Sequence, residues 1–325
     1  MSAITTEKVA AKPEPAAAKP ERRRLRWYDR LRRDRSLLIM TLPAVALLLV
    51  FSYLPMLGLA TAFQAYDIYN GFTYSPWVGT DQFTRLFQDQ LFWKALENTL
   101  VISAVQLVLY FPIPIVLALM LNSIMSTKVR SFVQAVVYLP HFFSWVLVIT
   151  IFQEMLGGAG PINHMLRENG WATWDIMTDP ATFKYLVTAQ AVWKEAGWGI
   201  IIFLAALAAI DQNLYEAAAA DGAGRWRRLW HITLPGMRNV IVLLLVLRLG
   251  NALTVGFEQM LIQRQAVGRD ASEVLDTFAY FYGVVGNNFS YGTAAGIFKG
   301  MLSLILIYAA NKVAHMFGED GLYRR

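Results

Sequence analysis

The chain has no cysteine among its 325 residues. Disulfides, thiolate metal sites and a cysteine nucleophile are thereby excluded. Charge is scarce as well: 16% of residues are Asp, Glu, Lys or Arg, against about 25% in a soluble domain. That deficit argues against an ordinary soluble enzyme of this length. The few histidines, His141, His164, His231 and His315, show no ligand spacing, and no metal site is expected. A G-x-x-x-x-G-K-[ST] phosphate loop is missing, so the chain is not expected to cradle ATP itself. G-x-S-x-G and H-E-x-x-H are missing too, and no catalytic residue is assigned.

Apolar sequence is what the chain has in abundance, at 56% of residues. A helix needs about 20 mostly apolar residues to cross a bilayer. Six stretches qualify: Leu37–Phe63, Ala95–Leu121, Phe132–Leu156, Phe183–Ile210, Asn239–Met260 and Tyr291–Ala314. The first is too long for a cleavable signal segment, whose apolar part runs about 7–15 residues. The runs are also too long for the strands of a membrane barrel. Pro43, Pro55, Pro112, Pro114 and Pro140 fall inside these spans, which membrane helices tolerate when neighbours satisfy the freed carbonyls. The fold class expected is an all-α integral membrane protein of six transmembrane helices, over residues 36–325.

The net charge of +6 gains meaning from its placement. Residues 1–20 are rich in Ala, Pro, Glu and Lys and lack apolar periodicity, and residues 1–35 read as a disordered basic tail. Eight arginines lie between residues 21 and 35, directly before an apolar run. This pattern fits an anchor on anionic lipid better than a nucleic-acid arm. With the N-terminus inside, twenty Lys/Arg fall on inner segments, six on outer segments and three within spans. The asymmetry predicts cytoplasmic termini.

The inner loop at 214–235 reads LYEAAAADGAGRWRRLWHITLP. Tyr215–Ala220 is rich in strong helix formers. Gly222 and Gly224 break that helix and permit a left-handed turn. Arg225–Ile232 is expected to form a second short helix, with Pro235 closing the loop. An interfacial amphipathic connector would have the same pattern. The residues Glu216, Ala217, Ala218, Asp221, Gly222, Ala223, Ile232, Leu234 and Pro235, however, resemble the EAA loop of permease subunits in bacterial binding-protein-dependent ABC importers. The likeness extends over roughly residues 35–325 and is strongest to the oligosaccharide and polysaccharide branch of the maltose-type permeases. It implies a type I importer fold. It also implies that Glu216, Ala217, Ala218, Asp221, Gly222, Ala223, Arg225 and Trp226 couple the chain to an ATPase. The partners implied are a second homologous permease, two ATPase subunits that bind ATP and Mg, and a periplasmic or lipid-anchored solute-binding protein. No cofactor is expected in this chain, and no nucleic-acid partner.

Charges inside spans are costly and usually face the bundle interior or water. Lys194 lies roughly 16 Å along span four at about 1.5 Å per residue, with Glu195 beside it. Arg248 and Lys299 are placed at comparable depth in spans five and six, and Glu258 near the outer end of span five. One expectation is structural pairing, Lys194 with Glu258 or Glu195 with Arg248. The other is a polar path for a hydroxylated or acidic ligand, lined by Trp193, Lys194, Glu195, Trp198, Arg248, Asn251, Glu258 and Lys299. Gly197 and Gly199 suggest a weakened segment of span four at such a site. The competing function is an ion-coupled secondary transporter using the intramembrane Lys and Glu groups.

Overall fold

The computed structural model describes Tyr28 and residues 34–316. The basic tail expected over residues 1–35 therefore lies almost wholly outside the described residues. The described residues are helical, and their single β-bridge joins Gln64 to Trp77. Six helical stretches are long and apolar enough to cross a membrane: Arg35–Phe63, Gln90–Asn122, Trp145–Glu168, Phe183–Ala208, Arg225–Gly250 and Phe289–Met316. They are spans one to six below. Span one falls mostly within the compact unit that ends at Gly58; the other five belong to the unit that begins at Leu59.

Proline decides where these helices deform. Pro55 follows a π-helical turn at Leu49–Tyr53, and Pro235 follows another at Leu229–Thr233. A proline lacks the N–H that would bond the carbonyl four residues earlier, and its ring pushes that carbonyl away. A widened turn relieves the clash without ending the helix. Span two is interrupted at Tyr110–Phe111, just before Pro112.

Two spans differ from the sequence expectation. The third was placed at residues 132–156. Its first half is instead a separate helix, Thr127–Tyr138, ended by a 3-10 turn over Leu139–Phe142 that contains Pro140. A new helix, Trp145–Leu156, starts with the Ser144 hydroxyl accepting from the Leu147 N–H at 3.3 Å. The fifth was placed at residues 239–260. Its helix Leu234–Gly250 stops at Asn251, and Phe257–Val267 begins as a new helix after Gly256 at φ +80°. Glu258 therefore sits in the first turn of that separate helix. Span four, by contrast, is an unbroken helix from Phe183 to Ala208. The weakening expected at Gly197 and Gly199 does not occur. Gly197 instead permits close packing: a Cβ there would lie 2.2 Å from the Val137 carbonyl oxygen.

Span four is the central post of the second unit. Ile200, Phe203 and Leu207 bury against Ala118, Leu121 and Met237 from spans two and five. Toward its other end, Phe183, Leu186 and Val187 pack with Ile102, Met260 and Val274. A buried amide cluster joins this end to the helix Phe257–Val267. Gln259 donates to Gln190 at 2.7 Å and to the Val187 carbonyl, while Gln190 and Gln263 exchange bonds at 3.0 and 3.1 Å. Every donor so satisfied avoids the penalty of a bare amide in an apolar core.

Candidate functional site

Two regions carry most of the residues singled out by sequence. The first is the hairpin between spans four and five. Its first limb, Gln212–Ala220, starts with the Asp211 carboxylate accepting from the Asn213 N–H at 2.9 Å, the bond an N-cap exists to make. Its end is closed by Ala223 N–H bonding the Ala218 carbonyl at 2.8 Å. That closure turns on Gly222 at φ +73°, a conformation only glycine adopts without strain. Tyr215 and Ile232 pack under the hairpin against Leu207, Ile210 and Met237, and the Tyr215 hydroxyl meets Thr233 at 3.0 Å. Glu216, Ala217, Asp221, Gly222 and Arg225 are exposed, whereas Ala218 and Ala223 are half-buried.

The second limb is not the isolated helix expected over Arg225–Ile232. Arg225–Arg228 passes through the π-turn into Leu234–Gly250 without a break, because Pro235 widens the helix rather than ending it. Trp226 and Trp230, 75% and 62% exposed, are thus on the first turns of span five. A cleft of about 360 Å³ separates the limbs, with Ala218 and Asp221 on one side and Arg227, Arg228 and His231 on the other.

The second region is where span four meets the break in the third crossing. Lys194 is 7% exposed. Its ammonium donates to Glu195 Oε1 at 2.8 Å and to the His141 carbonyl at 2.9 Å, and lies 5.5 Å from the Trp145 ring centre. Glu195 Oε2 in turn meets His141 Nδ1 at 2.6 Å. The His141 ring stacks on Trp198 with centroids 4.7 Å apart and planes 12° apart. Trp193 packs instead on Phe143 and Phe152. Neither sequence-predicted ion pair forms: Lys194 does not meet Glu258, nor Glu195 Arg248. Glu195 instead meets its neighbour Lys194, and His141 holds both, the ammonium through its carbonyl and the carboxylate through its ring.

The remaining path residues are dispersed. Lys299 Nζ meets Asp276 Oδ1 at 2.5 Å. Arg248 donates to Gln106 Oε1 at 2.8 Å and lies 4.9 Å from the Tyr110 ring centre. Asn251 caps the same helix and is exposed, bonding the Leu247 carbonyl at 3.2 Å. Glu258 is exposed. The sequence reading missed His141, Asp276, Gln106 and Tyr110. His141 has no ligand spacing to another histidine, and the one local signal at it is the neighbouring Pro140. Gln106 carries no formal charge and leaves no mark of its own inside an apolar span.

These observations define a class, a helical multi-pass membrane protein with broken spans and a tight hairpin before its last two crossings. The chain belongs to the binding-protein-dependent transport system inner membrane component family, whose model matches residues 110–315. It is thus the inner-membrane permease component of an importer of this kind, which depends on a solute-binding protein. It is similar to protein LplB of Bacillus subtilis (strain 168), 41% identical over 91% of this chain and 94% of that one. It is also similar to the polygalacturonan/rhamnogalacturonan transport system permease protein YteP of the same strain, 42% identical over 98% of this chain and 99% of that one. Among solved structures it resembles a chain of the bacterial alginate ABC transporter in complex with alginate pentasaccharide-bound periplasmic protein. That chain is 38% identical, with TM-score 0.83 and coverage of 92% of this chain and 100% of that one.

Proposed function

We propose that this chain forms one membrane-spanning half of an ATP-driven importer for an acidic oligosaccharide or polysaccharide fragment. The observation that carries the coupling part is the hairpin at Gln212–Arg228, turned on a left-handed Gly222. Its first limb exposes Glu216 and a row of alanines, a surface that a partner backbone can approach closely. Glu216, Ala217, Ala218, Asp221, Gly222, Ala223, Arg225 and Trp226 would seat in a groove of an ATPase subunit that holds ATP and Mg. Closure of two such ATPases would then move the hairpin, and with it spans four and five, which the hairpin joins directly. The glycan class is supported by two relatives, one for polygalacturonan and rhamnogalacturonan and one for alginate.

The complete assembly would contain a second homologous permease beside this one. The excess of Lys and Arg on the segments assigned inside supports cytoplasmic termini and a cytoplasmic hairpin. Tests should use the assembled complex in vesicles. Glu216→Lys should abolish binding-protein-stimulated ATP hydrolysis and uptake while the six spans still insert. Unchanged stimulated hydrolysis in that variant would remove the coupling role from the hairpin. The secondary-transporter alternative is tested by this chain alone: uptake driven by an ion gradient, without ATPase subunits, would replace the importer reading.

A further inference from the structure

Three cations were expected inside the spans, and the structure supplies carboxylates for two of them. Lys194 is held by Glu195 and Lys299 by Asp276. Arg248 has no carboxylate within ion-pair distance among the described residues; its one hydrogen bond there goes to the neutral amide oxygen of Gln106. A guanidinium carries five donors, and an unbalanced charge inside a membrane protein is expensive. Packing against Tyr110 holds the group in place but neutralises nothing.

Arg248 opens onto a cleft of about 180 Å³ between spans two, five and six, shared with Gln106, Asn251 and Thr254 and otherwise walled mainly by leucine and alanine. Enclosing a whole ligand takes roughly 300 Å³ or more, so the cleft admits a single substituent or sugar ring rather than a chain. Its polar groups are complementary in kind. Arg248 offers unused donors. Asn251 spends one amide N–H on Leu247, which leaves its other N–H and its carbonyl oxygen for hydroxyls. Thr254 is exposed. The cleft lies where span five stops and the chain turns, and the Ser103 hydroxyl ties span two to that turn at the Ala252 carbonyl.

The geometry points to Arg248 as the group that recognises the carboxylate of a uronic-acid residue as the glycan passes this permease. Asn251 and Thr254 receive the neighbouring hydroxyls. This inference rests on the importer reading above and assigns its preference for acid to one side chain.

The test compares ATP-dependent uptake of a galacturonate oligosaccharide with that of its methyl ester, in vesicles carrying the full transporter and its binding protein. Arg248→Gln should lower the acid-to-ester uptake ratio on the order of tenfold to a hundredfold, the loss expected for a charged hydrogen-bonded contact. Arg248→Lys should restore part of the ratio. Gln106→Glu keeps the arginine and supplies an internal carboxylate, so it should lower the ratio as well. An unchanged ratio in Arg248→Gln and Gln106→Glu overturns the subsite and makes Arg248 a structural or inter-subunit contact. A wild-type transporter that hydrolyses ATP yet imports neither glycan overturns the acidic-glycan reading itself, and the subsite with it.

Discussion

Single side chains inside the spans divide by whether they own a counter-charge. Lys299 and Asp276, both partly buried, meet at 2.5 Å, so removing one partner strands the other. Lys299→Met should therefore cost on the order of 1.5–3 kcal/mol, and the Lys299→Met/Asp276→Leu double variant should cost less than the lysine change alone. Thermal unfolding of the purified complex measures both. A double variant no better than the single one would show that the pair is not an isolated unit. Lys194 differs because its carboxylate has a second partner. In Lys194→Gln, Glu195 keeps His141 at 2.6 Å, so the expected loss is smaller than for Lys299→Met in the same melt. Equal losses would mean that His141 does not hold Glu195 by itself.

Among the elements, glycines separate two kinds of constraint. Gly222 has open space around it but φ +73°. Gly222→Ala should thus strain the hairpin by about 1 kcal/mol, with partial coupling retained. Gly222→Pro cannot adopt the turn at all and should uncouple ATP hydrolysis from uptake while leaving insertion intact. Wild-type uptake in the proline variant would show that the turn is dispensable. Gly197 has the opposite constraint, ordinary helical backbone and no room. A Cβ there meets the Val137 carbonyl at 2.2 Å. Gly197→Ala must push the Thr127–Tyr138 helix off span four, at a cost of about 1–3 kcal/mol for overpacking. A melting temperature equal to wild type would mean that this contact yields freely.

At the scale of the molecule, topology follows from where cations stand relative to six apolar stretches. A reporter placed after Arg228 should read cytoplasmic and one near Gly286 should read periplasmic. The same side for both would mean that span five does not cross. Continuity between the hairpin's second limb and span five matters here. Because Arg225–Gly250 is one helical path, a displacement of the hairpin is delivered to the membrane interior through a stiff element rather than through a loop.

Composition and periodicity determined the class of this protein, because burying a backbone in lipid demands long apolar helices and little else satisfies that demand. The hairpin was legible for a similar reason. Its alanines, its two glycines and its capping Asp211 are local signals, and local signals survive without knowledge of the fold. The interruptions at Leu139–Ser144 and Asn251–Gly256 were not legible, since membrane helices tolerate proline and glycine and neither residue marks a break by itself. At the second of them tertiary contacts hold the turn: Leu253 and Val255 are buried in the second unit's core, and the Gln190–Gln259–Gln263 cluster ties the next helix to span four. Partner choice among the charges was likewise a tertiary outcome. Helical spacing gives the depth of Lys194, Arg248 and Lys299 but not their facing. It took the folded chain to bring His141 to Glu195 and Asp276 to Lys299, and to leave Arg248 with a neutral amide. Electrostatic pairing acts over a few ångströms, and distances that short between residues far apart in sequence exist only once the helices are packed.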